Sequence, residues 1–255
     1  MCIIVYKPAE APFPDRTVLD TCFLNNSDGA GYMYAVNGRV YIKKGFMSFD
    51  ALMKSLKHTR KQCGDKIPYV LHFRIATQGG AKPELTHPYP LSEEMADLKR
   101  LNSTSDIGIA HNGIISLTAS NKKDIDYNDT MTFITDYLSL IIRDKGYWKD
   151  PATVELINRL ADSKLAILDG SGHCELIGDF KEDDGIYYSN YTYLYSNSYL
   201  YGHMKYGSVY GGYSLYDEYT ECPMLYGYED YAYCFDCPEK KYCYDSDDEI
   251  MKLII

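Results

Sequence analysis

Cys2 follows directly after the first methionine of this 255-residue chain. If Met1 is removed, Cys2 carries a thiol and a free α-amino group on one residue. A thiol attacks carbon as its thiolate, and an α-amino group with an ordinary pKa of roughly 7.7–8.0 can accept the thiol proton near neutral pH. Cys2 could therefore supply a nucleophile together with its base. Alternatively, Cys2 simply begins a buried strand, because apolar residues follow it.

A second segment brings an arginine to the end of a β-rich run. Its sequence is His72-Phe73-Arg74-Ile75-Ala76-Thr77, and Gln78-Gly79-Gly80 follows it as a turn. The planar guanidinium of Arg74 suits the carboxylate of a ligand. The other interpretation is an edge-strand arginine that points into solvent.

A third segment, Asp106 to Ile115, is an apolar strand interrupted by Asn112-Gly113. Asn-Gly between apolar runs is typical of a tight hairpin turn. It has a chemical alternative, because an asparagine amide and the next backbone N–H can both donate to one developing oxyanion.

A fourth segment places Asn128-Asp129 before a helical pattern that runs through Ile134 and Leu138. Asp129 is therefore a natural N-cap for that helix. A carboxylate at this position can instead bind the ammonium group of a ligand.

In this order, the four segments resemble the glutamine amidotransferase domain of class II, the N-terminal nucleophile type. The family pattern is an N-terminal Cys, then His-x-Arg-x-(Ala/Ser)-Thr, His-Asn-Gly and Asp-Thr. The chain also has Asp28-Gly29 and His87-Pro88 where the family has similar pairs, and it departs from the pattern at Gln78 and Met131. The resemblance covers roughly residues 2–195.

The resemblance implies a reaction and a role for each matching residue. Cys2 attacks the side-chain amide of glutamine, and its amine passes the proton to the departing ammonia. Asn112 and Gly113 form the oxyanion hole. Arg74 binds the α-carboxylate with Thr77 near it, and Asp129 pairs with the α-ammonium. A glutamyl thioester is then hydrolysed, and no metal or organic cofactor is needed.

The resemblance also implies an α+β fold of the Ntn-hydrolase type, a four-layer αββα sandwich of two antiparallel sheets. The residue patterns themselves predict strands and helices that agree with it. Predicted strands are residues 2–6, 31–36, 39–44, 69–76, 107–111, 164–168, 175–180 and 186–189, with a hairpin at Asn37-Gly38. Predicted helices are residues 49–61, 130–143 and 153–161.

The composition changes towards the C-terminus, where residues 187–244 hold most of the 27 tyrosines. Because each buried phenol needs a hydrogen-bond partner, this tract is a poor hydrophobic core. Residues 196–255 are therefore predicted to be a Tyr/Cys-rich acidic extension, either a low-complexity tail or an interaction element. Four cysteines could ligate a structural zinc ion, form a disulfide or redox pair, or remain free thiols; they are Cys222, Cys234, Cys237 and Cys243.

Charge and hydropathy exclude several classes of partner. The net charge of −10 disfavours a broad nucleic-acid interface, and no apolar run is long enough for a membrane span. We expect a cytoplasmic protein that binds glutamine and delivers ammonia to a partner protein, because the extension is too short for a second catalytic domain. The alternatives are a stand-alone amidase that acts on another glutamine-like amide, and a non-catalytic binding protein on the same scaffold.

Overall fold

The computed structural model describes residues 2–76, 80–119, 126–143, 146 and 148–194. Within them the chain is a mixed α+β protein with two antiparallel sheets, as the sequence predicted. The strands are β1 (Ile3–Lys7), β2 (Ala30–Val36), β3 (Arg39–Phe46), β4 (Tyr69–Phe73), β5 (Tyr89–Pro90), β6 (Asn102–Ser105), β7 (Ile107–Asn112), β8 (Lys164–Asp169), β9 (Cys174–Ile177), β10 (Lys181–Asp183) and β11 (Ile186–Tyr188).

The helices of the described residues lie between these strands. They are α1 (Arg16–Asn25), α2 (Phe49–Cys63), α3 (Met95–Leu98), α4 (Asp129–Phe133), α5 (Ser139–Ile141) and α6 (Pro151–Ala161), with a 3₁₀ turn at Pro83–Leu85 and a π-helical segment at Ile134–Leu138. None of them is long and apolar enough to cross a membrane.

The strands of the described residues form a seven-stranded sheet and a four-stranded sheet. The larger sheet has the order β10-β11-β1-β4-β2-β3-β6, and the smaller has the order β5-β7-β8-β9. The two ends of the described chain meet in the larger sheet, since β1 pairs with both β4 and β11. This pairing puts the first residues of the chain beside the segment that follows β4.

Alternate side chains of each central strand enter different hydrophobic layers. In β1, Ile3 and Val5 pack with apolar residues of α1 and α2, whereas Ile4 packs between the sheets. In β8, Ile167 packs with apolar residues of the helices from α4 to α6. Period-two alternation is what a strand with both faces buried requires. The sheets therefore stack face to face, with helices packed on their outer faces.

Small residues of β7 and β8 occupy part of the layer between the sheets. Ala110 and Ala166 pack there with Met33 of β2. Gly108 faces the same layer, and a Cβ at this position would overlap Met33 Sδ. Close packing of this kind lets the two sheets approach each other, because larger side chains would force them apart.

The two Asn-Gly pairs behave differently. Asn37 and Gly38 both have positive φ, 52° and 76°, and join β2 to β3 as a tight hairpin. The hairpin interpretation is wrong for Asn112-Gly113, because β7 pairs instead with β5 and with β8 about 50 residues later. The chain leaves the four-stranded sheet at Gly113.

The N-cap interpretation of Asp129 is also wrong. Asn128 is the N-cap of α4, and its Oδ1 accepts a hydrogen bond from Met131 N at 2.9 Å. Asp129 is the first helical residue, so its carboxylate is available for other contacts. The predicted helix is also interrupted by the π-helical segment, and such segments often occur near functional sites.

Two predicted strands end three residues earlier in the structure than the sequence indicated. The fourth strand stops at Phe73, so that Arg74 lies just beyond it and forms an isolated parallel bridge with Ser27. The ninth strand ends at Ile177, because Gly178 has a φ of 90°. The proposed extension and its four clustered cysteines lie outside the described residues, so the domain boundary and the zinc site stay predictions.

Candidate active site

Several predicted site residues line one cavity, although they are far apart in sequence. The cavity spans about 280 Å³, much of it open to solvent, and its enclosed part holds little more than one water molecule. Its lining consists of Cys2, Arg74, Ile75, His87, His111, Gly113, Asn128, Asp129 and Thr130. Asn112 is buried next to Gly113 but is not one of the lining residues. Thr77 lies outside the described residues.

The thiol of Cys2 is held by the backbone that leaves β4. Ile75 N donates to Cys2 Sγ at 3.3 Å, and Sγ donates to Ile75 O at 3.4 Å. The carbonyl of Cys2 accepts a bond from Asn190 Nδ2 at 2.7 Å. Burial raises the pKa of the Cys2 thiol, although the Ile75 N–H and the charge of Arg74 partly oppose this. The thiol therefore needs a base before it can act as a nucleophile.

A turn between α1 and β2 fixes the backbone around Arg74. Asp28 N donates to Arg74 O at 2.9 Å, and Arg74 N donates to Gly29 O at 2.8 Å. The carboxylate of Asp28 accepts from Ala76 N at 2.8 Å. The Arg74 side chain is only 3% exposed, and its Nη1 donates to Gly80 O at 2.7 Å. The sequence interpretation of a solvent-facing edge arginine is therefore wrong.

Gly113 adopts a backbone conformation that only glycine tolerates well. Its φ is 139°, and a Cβ would overlap the Ser163 hydroxyl oxygen. The side chain of Asn112 donates from Nδ2 to Ser189 Oγ at 2.9 Å. Its Oδ1 is buried and has no hydrogen-bond partner among the described residues. At the end of β7, Asn112 is therefore followed in sequence by Gly113, which lines the cavity.

Asp129 faces the cavity with a carboxylate held by backbone donors. Its Oδ2 accepts from Ile115 N at 2.8 Å, and its Oδ1 accepts from Thr130 N at 2.9 Å. The side chain of Asn128 reaches away from the helix and donates to Tyr89 OH at 2.8 Å. These bonds keep the carboxylate in one orientation at the start of α4.

A network of buried histidines that the sequence analysis did not assign lies around the cavity. Ser163 Oγ donates to Asn112 O at 3.1 Å, so it accepts from His111 Nε2 at 2.8 Å. His111 Nδ1 then accepts from Thr130 Oγ1 at 2.8 Å. Thr130 Oγ1 also lies 3.1 Å from His87 Nε2 and 3.4 Å from Asp129 Oδ1. His87 Nδ1 is left without a partner among the described residues.

Burial favours the uncharged form of these histidines and of His72, whose Nε2 lies 2.9 Å from His111 O. Burial lowers the pKa of His72 to about 3 and that of His111 to about 4, although Asp129 opposes the second shift. Burial also lowers the pKa of His87 well below its usual value. The sequence signal for this network was the His in each quoted motif together with Thr130, whose hydroxyl connects two of the rings. Arg74 and Asp129 therefore remain the charged side chains among the described residues that line the cavity.

The described histidines, cysteines and carboxylates contain no group of three or more arranged to hold a metal ion. The cavity combines the thiol of Cys2, the guanidinium of Arg74, the carboxylate of Asp129 and the backbone of Gly113. This combination can bind a small zwitterion and attack a carbonyl carbon. Comparison with models of known protein families gives no match, and comparison with curated protein sequences gives none either.

Proposed function

We propose that this protein is a glutaminase of the class II amidotransferase type, with Cys2 as its nucleophile. The observation that carries the proposal is the convergence of Cys2, Arg74, Gly113 and Asp129 on one cavity. The resemblance found in the sequence gives each of these residues a role in the same reaction. An ordinary buried cysteine has no need of an arginine and an aspartate at the same cavity.

The proposed reaction begins with removal of Met1, which frees the α-amino group of Cys2. That amine takes the thiol proton, and Sγ attacks the side-chain carbonyl carbon of glutamine. The tetrahedral intermediate then expels ammonia, to which the amine returns the proton, and leaves a glutamyl thioester. Water hydrolyses the thioester to glutamate and regenerates the thiol. The raised pKa of Cys2 supports this sequence, because a thiol that stays protonated requires a base.

Recognition of the free amino acid is assigned to the two charged side chains of the lining. Arg74 would bind the α-carboxylate through its planar fork, and Asp129 would accept from the α-ammonium. Both groups are nearly buried, at 3% and 8% exposure. Because low exposure limits solvent screening, opposite charges at two ends would favour a zwitterion over a simple amide. Entry of glutamine would widen the cavity, whose enclosed part is small.

Stabilisation of the oxyanion is assigned to Gly113 N–H and Asn112. Gly113 lines the cavity, and its positive φ turns the chain at the end of β7. A preorganised donor at the developing charge is usually worth about 10²–10³-fold in turnover. The stacking of two sheets with helices outside agrees with the four-layer Ntn-hydrolase arrangement that we propose for the fold. The ammonia would pass to a separate partner protein.

The test uses the purified full-length chain. Intact mass measures whether Met1 is removed, and coupled assays measure glutamate and ammonia released from glutamine. We expect loss of Met1 and equal amounts of the two products, with Cys2→Ala inactive and Cys63→Ala active. Cys63 is a half-buried thiol at the end of α2, so it controls for loss of a cysteine.

Two outcomes would contradict the proposal in different ways. Retained Met1 with glutamine binding and no hydrolysis would favour the non-catalytic binding protein. Hydrolysis of another primary amide in preference to glutamine would favour the stand-alone amidase.

A further inference from the structure

The hydrogen bonding of the Asn112 carboxamide, directly before the cavity-lining Gly113, is incomplete. Ser189 Oγ lies 2.8 Å from Ile4 N and 2.9 Å from Asn112 Nδ2. Both nitrogens carry hydrogens, so the oxygen accepts twice. The hydroxyl hydrogen of Ser189 then has no acceptor among the described residues, and Asn112 Oδ1 is buried without a partner. Two polar groups are unpaired in a region where Ser189 is completely buried and Asn112 is 5% exposed.

A half-turn of the carboxamide about its Cβ–Cγ bond reduces the number of unpaired polar groups. The two ends of a carboxamide have nearly the same shape, so hydrogen bonding decides between them. After the half-turn, Ile4 N still donates to Ser189 Oγ, and the Ser189 hydroxyl donates to Asn112 Oδ1. Nδ2 then takes the place where Oδ1 finds no donor among the described residues. Buried polar groups are nearly always paired, so the orientation with fewer unpaired groups is favoured.

The group that moves into that place is a donor, and the next residue in the chain indicates what it would bind. The next residue, Gly113, lines the cavity and carries a backbone N–H. Two neighbouring donors suit one oxygen atom with developing negative charge. We propose that Ser189 is a positioning residue, whose hydroxyl orients the Asn112 carboxamide so that Nδ2 faces a substrate oxygen.

This inference rests on the proposed glutaminase reaction and extends it to the residue that sets up the oxyanion donor. Ser189 follows β11, and the next residue, Asn190, holds the carbonyl of Cys2 at 2.7 Å. Lys164 Nζ donates to Ser189 O at 2.6 Å and fixes the same segment. The end of β11 therefore contacts both the nucleophilic residue and the proposed oxyanion residue.

Steady-state kinetics of four variants test the inference. We expect Ser189→Ala to lower kcat by between about 10-fold and 10²-fold, the cost of a misplaced group, with little change in KM. Asn112→Ala should lower kcat by about 10²–10³-fold. The double variant should be no slower than Asn112→Ala alone, because Ser189 acts through Asn112. Ser189→Thr, which keeps a hydroxyl, should recover part of the lost turnover.

A matched control and thermal unfolding separate positioning from general loss of structure. Ser139→Ala removes another buried hydroxyl, which donates to Thr135 O within the helical region after α4 and is not part of the cavity lining. Its kcat should equal that of the unaltered chain. If Ser189→Ala has unaltered kcat, or if its loss multiplies that of Asn112→Ala in the double variant, the inference is wrong.

A second readout does not depend on hydrolysis. In NMR spectra of the unaltered protein, the side-chain amide protons of Asn112 should show no strong NOE to Ser189 Hβ, because Oδ1 faces Ser189. A strong NOE would overturn the inference whatever the activity is. If the processed chain releases no glutamate, the proposed function fails, and this NOE still decides how Asn112 is oriented.

Discussion

Cys2 and Ile75 form a reciprocal pair in which the Ile75 N–H donates to Sγ at 3.3 Å and Sγ donates to Ile75 O at 3.4 Å. The pair joins the beginning of β1 to the segment that leaves β4. Arg74 immediately precedes Ile75, and its charge partly opposes the rise in the pKa of the thiol. A thiol held in this way has little freedom to rotate away from the cavity.

Cys2→Ala is expected to abolish release of glutamate while glutamine binding remains. In the proposed reaction the thiol makes the covalent bond, whereas Arg74 and Asp129 provide recognition. Calorimetric titration with glutamine and an assay of glutamate release on the same sample check this. Turnover by Cys2→Ala at the unaltered rate would rule out the mechanism, and loss of binding would assign Cys2 to recognition as well.

Asp129→Asn is expected to raise KM for glutamine by about 10-fold or more, with a smaller effect on kcat. The neutral amide weakens attraction for the α-ammonium, and a charge-assisted bond in a buried site is worth about 1.5–3 kcal/mol. Asp136→Asn, an exposed carboxylate in the π-helical segment, is the control and should behave like the unaltered chain. An unchanged KM in Asp129→Asn would show that the carboxylate serves only Ile115 and Thr130.

Gly113→Ala is expected to reduce both stability and turnover. A side chain at a φ of 139° is strained, and its Cβ would overlap Ser163 Oγ. Strain and overlap each cost about 1–3 kcal/mol. Gly38→Ala provides the comparison, because Gly38 also has positive φ but nothing lies within 4 Å of a Cβ there.

Denaturant unfolding of both glycine variants separates the two effects. Gly113→Ala should lose more stability than Gly38→Ala, and only Gly113→Ala should lose glutaminase turnover. Equal losses of stability would mean that the overlap with Ser163 is relieved without cost.

Stability is expected to fall as the pH is lowered from about 6.5 towards 4. Burial holds the pKa of His111 at about 4 in the folded state, against a usual value of 6.5. Between these values the unfolded chain binds a proton that the folded chain excludes, so acid favours unfolding. His72 and His87 act in the same direction. Each histidine contributes a slope of at most about 1.4 kcal/mol per pH unit.

The measurement is the free energy of unfolding by urea at several pH values. His111→Asn should show a smaller slope against pH than the unaltered chain, whatever its absolute stability. His58→Gln, which removes an exposed histidine, is the matched control. If His111→Asn keeps the full slope, His111 does not exclude the proton.

The sequence predicted local features of this fold better than those set by distant contacts. The hairpin at Asn37-Gly38 was predicted because a two-residue turn depends on its own φ angles. The same dipeptide at Asn112-Gly113 forms no hairpin, since β8 supplies the partner strand. α1 was missed because its residues, Arg16–Asn25, mix polar and apolar types without clear periodicity.

The same distinction applies to the site. Cys2, Arg74, Gly113 and Asp129 could be selected because each stands in a short motif with chemical meaning. Ser189 could not, because its role depends on β11 pairing with β1, which brings its hydroxyl to Ile4 and Asn112. The cap of α4 was assigned one residue late, since Asn128 and Asp129 are both good capping residues and only backbone geometry separates them.

The small residues between the sheets, among them Gly108 and Ala110, set how closely the two sheets approach. Cys2 precedes β1 and Arg74 follows β4, both strands of the larger sheet, whereas Asn112 and Gly113 lie at the end of β7 in the smaller one. The gap between Cys2 and the Asn112-Gly113 pair therefore depends on the thickness of the inter-sheet layer, to which Gly108 and Met33 contribute. Enlarging Gly108 would lengthen that gap without altering any reacting group. In the proposed reaction, a substitution in the interior of the protein would thus change turnover without contacting the substrate.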